Sequence, residues 1–225
     1  MSTYFNRLRR SYRPRPGGFT LIELMVVSSI MLLITTFILF RQEGFNSSTL
    51  LRSLAYSVAL SVRQAQVYGV SVRESSSGTG IFAPGFGVYF ANGGDADYNH
   101  YLMFADANGD GWYDSTEKLP GFTIGRGNGG DYTIKNFCAH VSGGLDECSA
   151  SGDITSLVIY FRRPNPDACF TTNAYPGVCA LGAALRYDYA YVQVRSAAGN
   201  DTRTVKVSST GQISVCTLNA DPSTC

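Results

Sequence analysis

The chain has 225 residues, a formal charge of +1 at pH 7, 44% hydrophobic residues and 12% aromatic ones. That composition excludes a disordered or low-complexity chain and is large enough for one real core. The charge excludes a general polyanion binder. Five of the 18 basic residues lie in the first 18 positions, which hold no acid, so 13 bases face 17 acids beyond them.

The basic opening is Arg7, Arg9, Arg10, Arg13 and Arg15, followed by Gly17-Gly18. From Phe19 to Phe40 come 22 residues with a single charge, Glu23. At about 1.5 Å per residue such a helix covers roughly 33 Å, the thickness of a bilayer's hydrocarbon core. By the positive-inside rule the arginine-rich end stays cytoplasmic and the bulk of the chain crosses. A secretory signal is cut after its apolar run, but this run ends in Phe40-Arg41-Gln42-Glu43, with no Ala-x-Ala site, and its small residues precede it. Glu23 is costly inside a membrane, by at least a few kcal/mol, so by default it is functional and has a partner.

Gly18-Phe19-Thr20-Leu21-Ile22-Glu23-Leu24 resembles the processing site of type IV prepilins and type II secretion pseudopilins. The resemblance implies that a prepilin peptidase cuts between Gly18 and Phe19 and methylates the new amine of Phe19. It also implies that Glu23 meets an N-terminal amine, its own or a neighbour's, inside a helical filament. The expected partners are other pilin or pseudopilin subunits, the peptidase and an inner-membrane assembly platform. The expected location is the bacterial inner membrane, single-pass with a cytoplasmic N-terminus, and then a periplasmic or extracellular filament. Three parts are expected: a leader over 1–18, a membrane and filament-core helix over 19–43, and a globular domain over 44–225.

Past Gly44, apolar residues at Leu51, Leu54, Val58, Val62, Ala65 and Gly69 recur in steps of three and four, one face of a helix. The reading is one long helix from Phe19 to about Val72, with its second half (45–73) laid on a sheet. Gly44 and Asn46-Ser47-Ser48 mark a weak point where Ser47 or Ser48 caps a restarted helix. After the polar connection Glu74 to Gly80 the pattern turns to strands, from about residue 81. They are Gly87–Phe90, Tyr101–Phe104, Phe122–Ile124, Tyr132–Ile134, Leu157–Phe161, Ala190–Arg195, Thr204–Ser208 and Gln212–Val215. Turn signals lie at Asn92-Gly93-Gly94-Asp95 and Ala198-Gly199-Asn200-Asp201. The fold class is α+β: a long N-terminal helix packed on an antiparallel β-sheet, pilin-like. Three short segments add a resemblance to GspH/FimT-like minor pseudopilins and minor pilins: Ser61–Gln66, Phe104–Gly111 with Glu117, and Val207–Ile213.

Cys138, Cys148, Cys169, Cys179, Cys216 and Cys225 all lie in the C-terminal part. Even number, exported topology and short spacings indicate disulfides rather than metal ligands. Fifteen pairings are open, and the sequential one, Cys138–Cys148, Cys169–Cys179 and Cys216–Cys225, is expected. Asp106-x-Asn108-x-Asp110-Gly111-x5-Glu117 fits the calcium-loop pattern, with Trp112 offering its carbonyl and Asp114 a water-mediated contact. The flanking strand is wrong for an EF-hand, so calcium and a plain acidic turn both stay open; no other cofactor is indicated.

Arg162-Arg163, Arg195, Arg203 and Lys206 form at most a scattered basic set, read as solvated charges, which makes nucleic acid an unexpected partner. A rival reading is a DNA-uptake or adhesive tip subunit that binds a polymer through its globular domain. No nucleophile–base motif points to an enzyme; His100 and His140 read as loop or strand-edge residues. Tyr187, Tyr189 and Tyr191 alternate and are expected on one sheet face.

Overall fold

The computed structural model describes residues 17–75, 80, 82–93, 101–119, 133–179, 185–196 and 201–225. The leader arginines, Gly94-Asp95, His100, the 122–124 strand, the 125–130 loop, Tyr132 and the hairpin residues 198–200 lie outside those residues. The chain divides into two compact units, one ending at Glu43 and the other beginning at Gly44.

One helix, α1 (Leu21–Val70), has its first half in the first unit and its second in the other. Its backbone stays helical through Gly44 and Ser48, as the single long helix expected from the sequence requires, with no restart capped by Ser47 or Ser48. An isolated glycine costs a helix only about 1 kcal/mol, which flanking helical turns absorb. In the second unit, Leu51, Ala55, Val58, Val62 and Ala65 are fully buried, a stripe with steps of four and three.

That stripe packs into a core shared by two antiparallel sheets, where the sequence suggested one. The strands are β1 (Gly85–Ala91), β2 (Tyr101–Asp106), β3 (Thr133–Val141), β4 (Asp146–Cys148), β5 (Ser156–Arg162), β6 (Ala168–Thr172), β7 (Tyr187–Arg195), β8 (Thr202–Ser208) and β9 (Ile213–Val215). The first sheet runs β2-β1-β5-β6 and the second β4-β3-β7-β8-β9. Phe86, Val88 and Phe90 of β1, with Leu157, Ile159 and Phe161 of β5, face α1. Alternate residues of the first sheet, including Leu102, Phe104, Val158 and Tyr160, form a second cluster on its other face, covered by Tyr113 and Cys179.

Gln66 ties helix to sheets: its buried amide donates to the Pro166 carbonyl at 2.8 Å and to that of Gly211 at 2.9 Å. Disulfides join Cys138 to Cys148 across the β3–β4 pair, Cys169 to Cys179, and Cys216 to Cys225.

Gly69 is where α1 comes closest to β5. A Cβ placed there would lie 2.5 Å from the Phe161 carbonyl oxygen and 2.8 Å from its carbonyl carbon. Helix propensity favours Ala over Gly by about 1 kcal/mol, but a backbone atom of a central strand yields little. Gly69→Ala is therefore expected to be net destabilising, by about 1–3 kcal/mol. Thermal unfolding of the detergent-solubilised chain should show a Tm lower by roughly 5 °C; an unchanged or higher Tm would show that the helix is free to shift.

Candidate functional site

The N-terminal unit is an exposed, apolar helix with a short approach to it. Residues 17–20 precede the helix and are exposed, and Leu21–Leu39 is long and apolar enough to cross a membrane. Phe19, Leu21, Ile22, Leu24, Met25, Leu32 and Leu33 all expose most of their surface. The hydroxyls in this run return to their own helix. Ser28, Ser29, Thr35 and Thr36 donate to the carbonyls of Met25, Val26, Met31 and Leu32 at 2.6–3.0 Å. No such donor is left unsatisfied by them in a medium without water.

Thr20 starts the helix. Its Oγ1 accepts from the Glu23 backbone N–H at 3.3 Å, and its carbonyl accepts from the Leu24 N–H at 3.2 Å. This is an N-cap, and Thr-x-x-Glu is the capping-box spacing, a signal in the sequence that the motif reading passed over. The cap places Glu23 in the first helical turn, on an exposed flank. Among the described residues no cation lies within ion-pair reach of its carboxylate. Gly17 and Gly18 stand free, with nothing within 4 Å of an added Cβ. The arrangement is an accessible peptide bond between Gly18 and Phe19, then a capped apolar rod whose one acid has no cation beside it among the described residues.

Residues 13–39 match the prokaryotic N-terminal methylation motif. This motif is the one of type IV prepilins and pseudopilins, and it takes in Gly18, Phe19 and Glu23 together. No curated protein and no solved structure matches the chain. Behind the methylation motif the chain has the pilin-like α+β architecture: an apolar helix, then a helical stretch packed on antiparallel sheets.

The acidic loop following β2 binds its own backbone. Asp106, fully buried, accepts from the N–H groups of Gly109 at 2.7 Å and Gly111 at 3.0 Å. Glu117 accepts from Ala107 at 2.8 Å, Asn108 at 3.4 Å and Asp114 at 3.2 Å. Burial pushes the Glu117 carboxyl up, and Asp106 adds to the push, while those N–H bonds oppose it. The Asn108 amide nitrogen donates to Asp110 at 2.9 Å and Asp114 at 3.2 Å, and Asp110 also takes the Trp112 N–H at 2.7 Å. The loop thereby holds Tyr113 and Trp112 over Tyr89, with Tyr113 stacked at 4.6 Å. Gly109 and Gly111 adopt φ of +80° and +72°, and at Gly111 a Cβ would also strike that of Cys179, at 2.7 Å.

Among the described residues no three His, Cys, Asp or Glu side chains converge as a metal requires. We propose that this loop is a self-capped cover for the first sheet. Calcium at the millimolar level, where extracellular modules bind (about 10⁻⁴–10⁻³ M), is expected to give no calorimetric heat and no change in Tm. A rise in Tm would instead assign Asp106, Asn108, Asp110, Trp112, Asp114 and Glu117 to a cation.

The three tyrosines of β7 do not share a face. The β3–β7 register shifts between His140 and Val141, which pair with Tyr189 and Tyr187, so Asp188 is an extra residue. Tyr187 is turned into the main core, where its hydroxyl donates to Glu147 at 2.6 Å and meets Thr172 at 3.0 Å. Burial first, and then Glu147, push its phenol up to about 12. Tyr189 stacks on His140 at 4.5 Å with Lys206 4.2 Å from its ring, and Tyr191 donates to Asp146 at 2.8 Å. Of the scattered basic set, Arg163 donates to the Ala83 carbonyl, Arg195 to Thr133 and Arg203 to the Cys216 carbonyl.

Proposed function

We propose that the chain is a structural subunit, a minor pilin or pseudopilin, of a type IV pilus or type II secretion filament. In this reading a prepilin peptidase cuts after Gly18, Phe19 becomes the methylated N-terminus, and Phe19–Phe40 moves from the inner membrane into the filament's core. The globular domain from Gly44 onward faces outward, and the leader arginines keep the N-terminus cytoplasmic before cutting. Work is done by adding and withdrawing subunits, without chemistry on the chain after processing. The GspH/FimT-like assignment is supported by the three short segments quoted above.

The observation that carries the reading is the matched motif continued by a capped, apolar, outwardly exposed helix whose one acid meets no cation among the described residues. A soluble enzyme gains nothing from such a rod, whereas a helical stack buries it. Mass spectrometry of sheared surface filaments is expected to find a peptide beginning at N-methylated Phe19. Recovery of the chain only as uncut precursor in membranes would overturn the proposal.

A further inference from the structure

The edge of a β-sheet is usually guarded by charge or by a covering segment, because an open edge pairs with any extended chain. Among the described residues, three of the four sheet edges are guarded in that way. Leu119 lies along β2, its N–H bonding the Met103 carbonyl at 3.2 Å. At β6 the Ala168 N–H bonds the Ser209 carbonyl at 2.9 Å, and the Tyr175 N–H returns to the Thr172 carbonyl at 3.0 Å. β4 has Asp146 and Glu147 among its three residues. The fourth edge is β9, Ile213-Ser214-Val215, which holds no charge.

The register of β9 decides which of its groups are open. The Cys216 N–H bonds the Thr204 carbonyl and the Ser208 N–H bonds that of Gln212, each at 2.9 Å. Lys206 and Ser214, midway between, are therefore the next hydrogen-bonded pair, and Ile213 and Val215 fall at the alternate positions. Their N–H and C=O groups point away from β8 and meet no protein partner among the described residues. Their side chains turn inward and pack against the main core.

Beside this open edge runs a groove of about 520 Å³, between β9 and the outward flank of α1. Its walls include Tyr56, Leu60, Ile213 and Val215. Leu60 is 69% exposed and Tyr56 50%, so a strand added to β9 would cover surface that the chain itself leaves bare. Arg63 also lines the groove, giving one N–H to the Gln66 side chain, and Arg52 sits 5.5 Å over the Tyr56 ring. No acid lines the groove, and α1 has none after Glu43. Neither arginine has an ion-pair partner among the described residues.

We propose that β9 accepts an extended segment of a different filament subunit. The segment pairs with the Ile213 and Val215 backbone, lays apolar side chains on Tyr56 and Leu60, and brings a carboxylate to Arg63. Side chains alternate along a strand, so the segment has apolar residues at every second position and an Asp or Glu in the same row. A second copy of this chain fits poorly. Joining β9 to β9 about a two-fold axis would set two arginine-bearing grooves together with no acid between them. The inference rests on the filament reading for the source of the segment, and a single copy of the chain suffices for the contact.

The test uses the full chain in cells that assemble filaments, with photo-reactive benzoylphenylalanine in place of Tyr56. Irradiation should give one adduct of fixed mass in the filament fraction. Mass spectrometry of the joined peptide should place the link in an alternating segment that carries Asp or Glu. Val215→Pro removes an N–H that β8 does not use, after a residue already extended, and should abolish the adduct. Leu60→Asp, at an exposed site, should leave Tm unchanged and remove most of it. A link to lipid, to a second copy or to a segment without alternation would overturn the docking. So would a filament fraction that holds the methylated Phe19 peptide but gives no adduct, or one whose adduct survives both variants; the filament reading would stand. Absence of the parent chain from filaments, with the precursor uncut, would overturn both.

Discussion

Gly18→Val is expected to leave the chain uncut ahead of Phe19 in the membrane fraction, with none in surface filaments. The argument depends on where Gly18 sits. It precedes the N-cap Thr20, lies outside the helix, and has nothing within 4 Å of an added Cβ. A side chain there disturbs no packing, so failure to be cut would report on the peptidase's access to the Gly18–Phe19 bond and not on folding. The uncut chain also keeps five arginines ahead of its apolar rod. Drawing those charges into an apolar filament core would cost far more than the packing returns. The measurement is an immunoblot of membrane and sheared fractions, with intact mass to fix the N-terminus. Normal cutting of Gly18→Val would remove Gly18 from the processing site.

Much of this was legible in the sequence because it is local. One acid within a run of 22 otherwise uncharged residues, with glycines before the run rather than after it, is chemistry visible without a fold. The buried stripe from Leu51 to Ala65 was legible for a similar reason, since a period near 3.6 needs no partner to be recognised. What stayed hidden depends on distant pairing. The split into two sheets follows from β3 pairing with β7 across some fifty residues of chain, which no window around either strand reveals. β4, three residues reading Asp146-Glu147-Cys148, and β6, Ala168–Thr172, have no alternation to betray them. The tyrosine pattern of β7 misled because Asp188 is a bulge, and one extra residue sends Tyr187 to the opposite face from Tyr189. In the acidic loop the residue types were read correctly while their use was not readable. Whether Asp106 and Glu117 turn their oxygens to a cation or to five backbone N–H groups depends on the path of the loop.

Glu23→Gln separates processing from assembly. The carboxylate lies in the first turn of α1, beyond the bond proposed to be cut, and Thr20 caps the helix through the backbone N–H of residue 23, which Gln retains. The variant should therefore be cut and methylated like the parent. Assembly is another matter. In the filament core proposed above, Gln at position 23 would leave the Phe19 amine without its carboxylate, and a buried ion pair that loses one partner costs about 3–5 kcal/mol. Across each subunit contact that corresponds to a loss of about two to four orders of magnitude in association. Sheared filaments should then hold almost none of the chain, while the membrane fraction accumulates mature, methylated protein. Glu23→Asp keeps the charge on a shorter stem and should restore part of the assembly, which a purely steric role for the position would not allow. If Glu23→Gln enters filaments as fully as the parent, the acid is not meeting an amine, and the rod stacks on apolar contact alone.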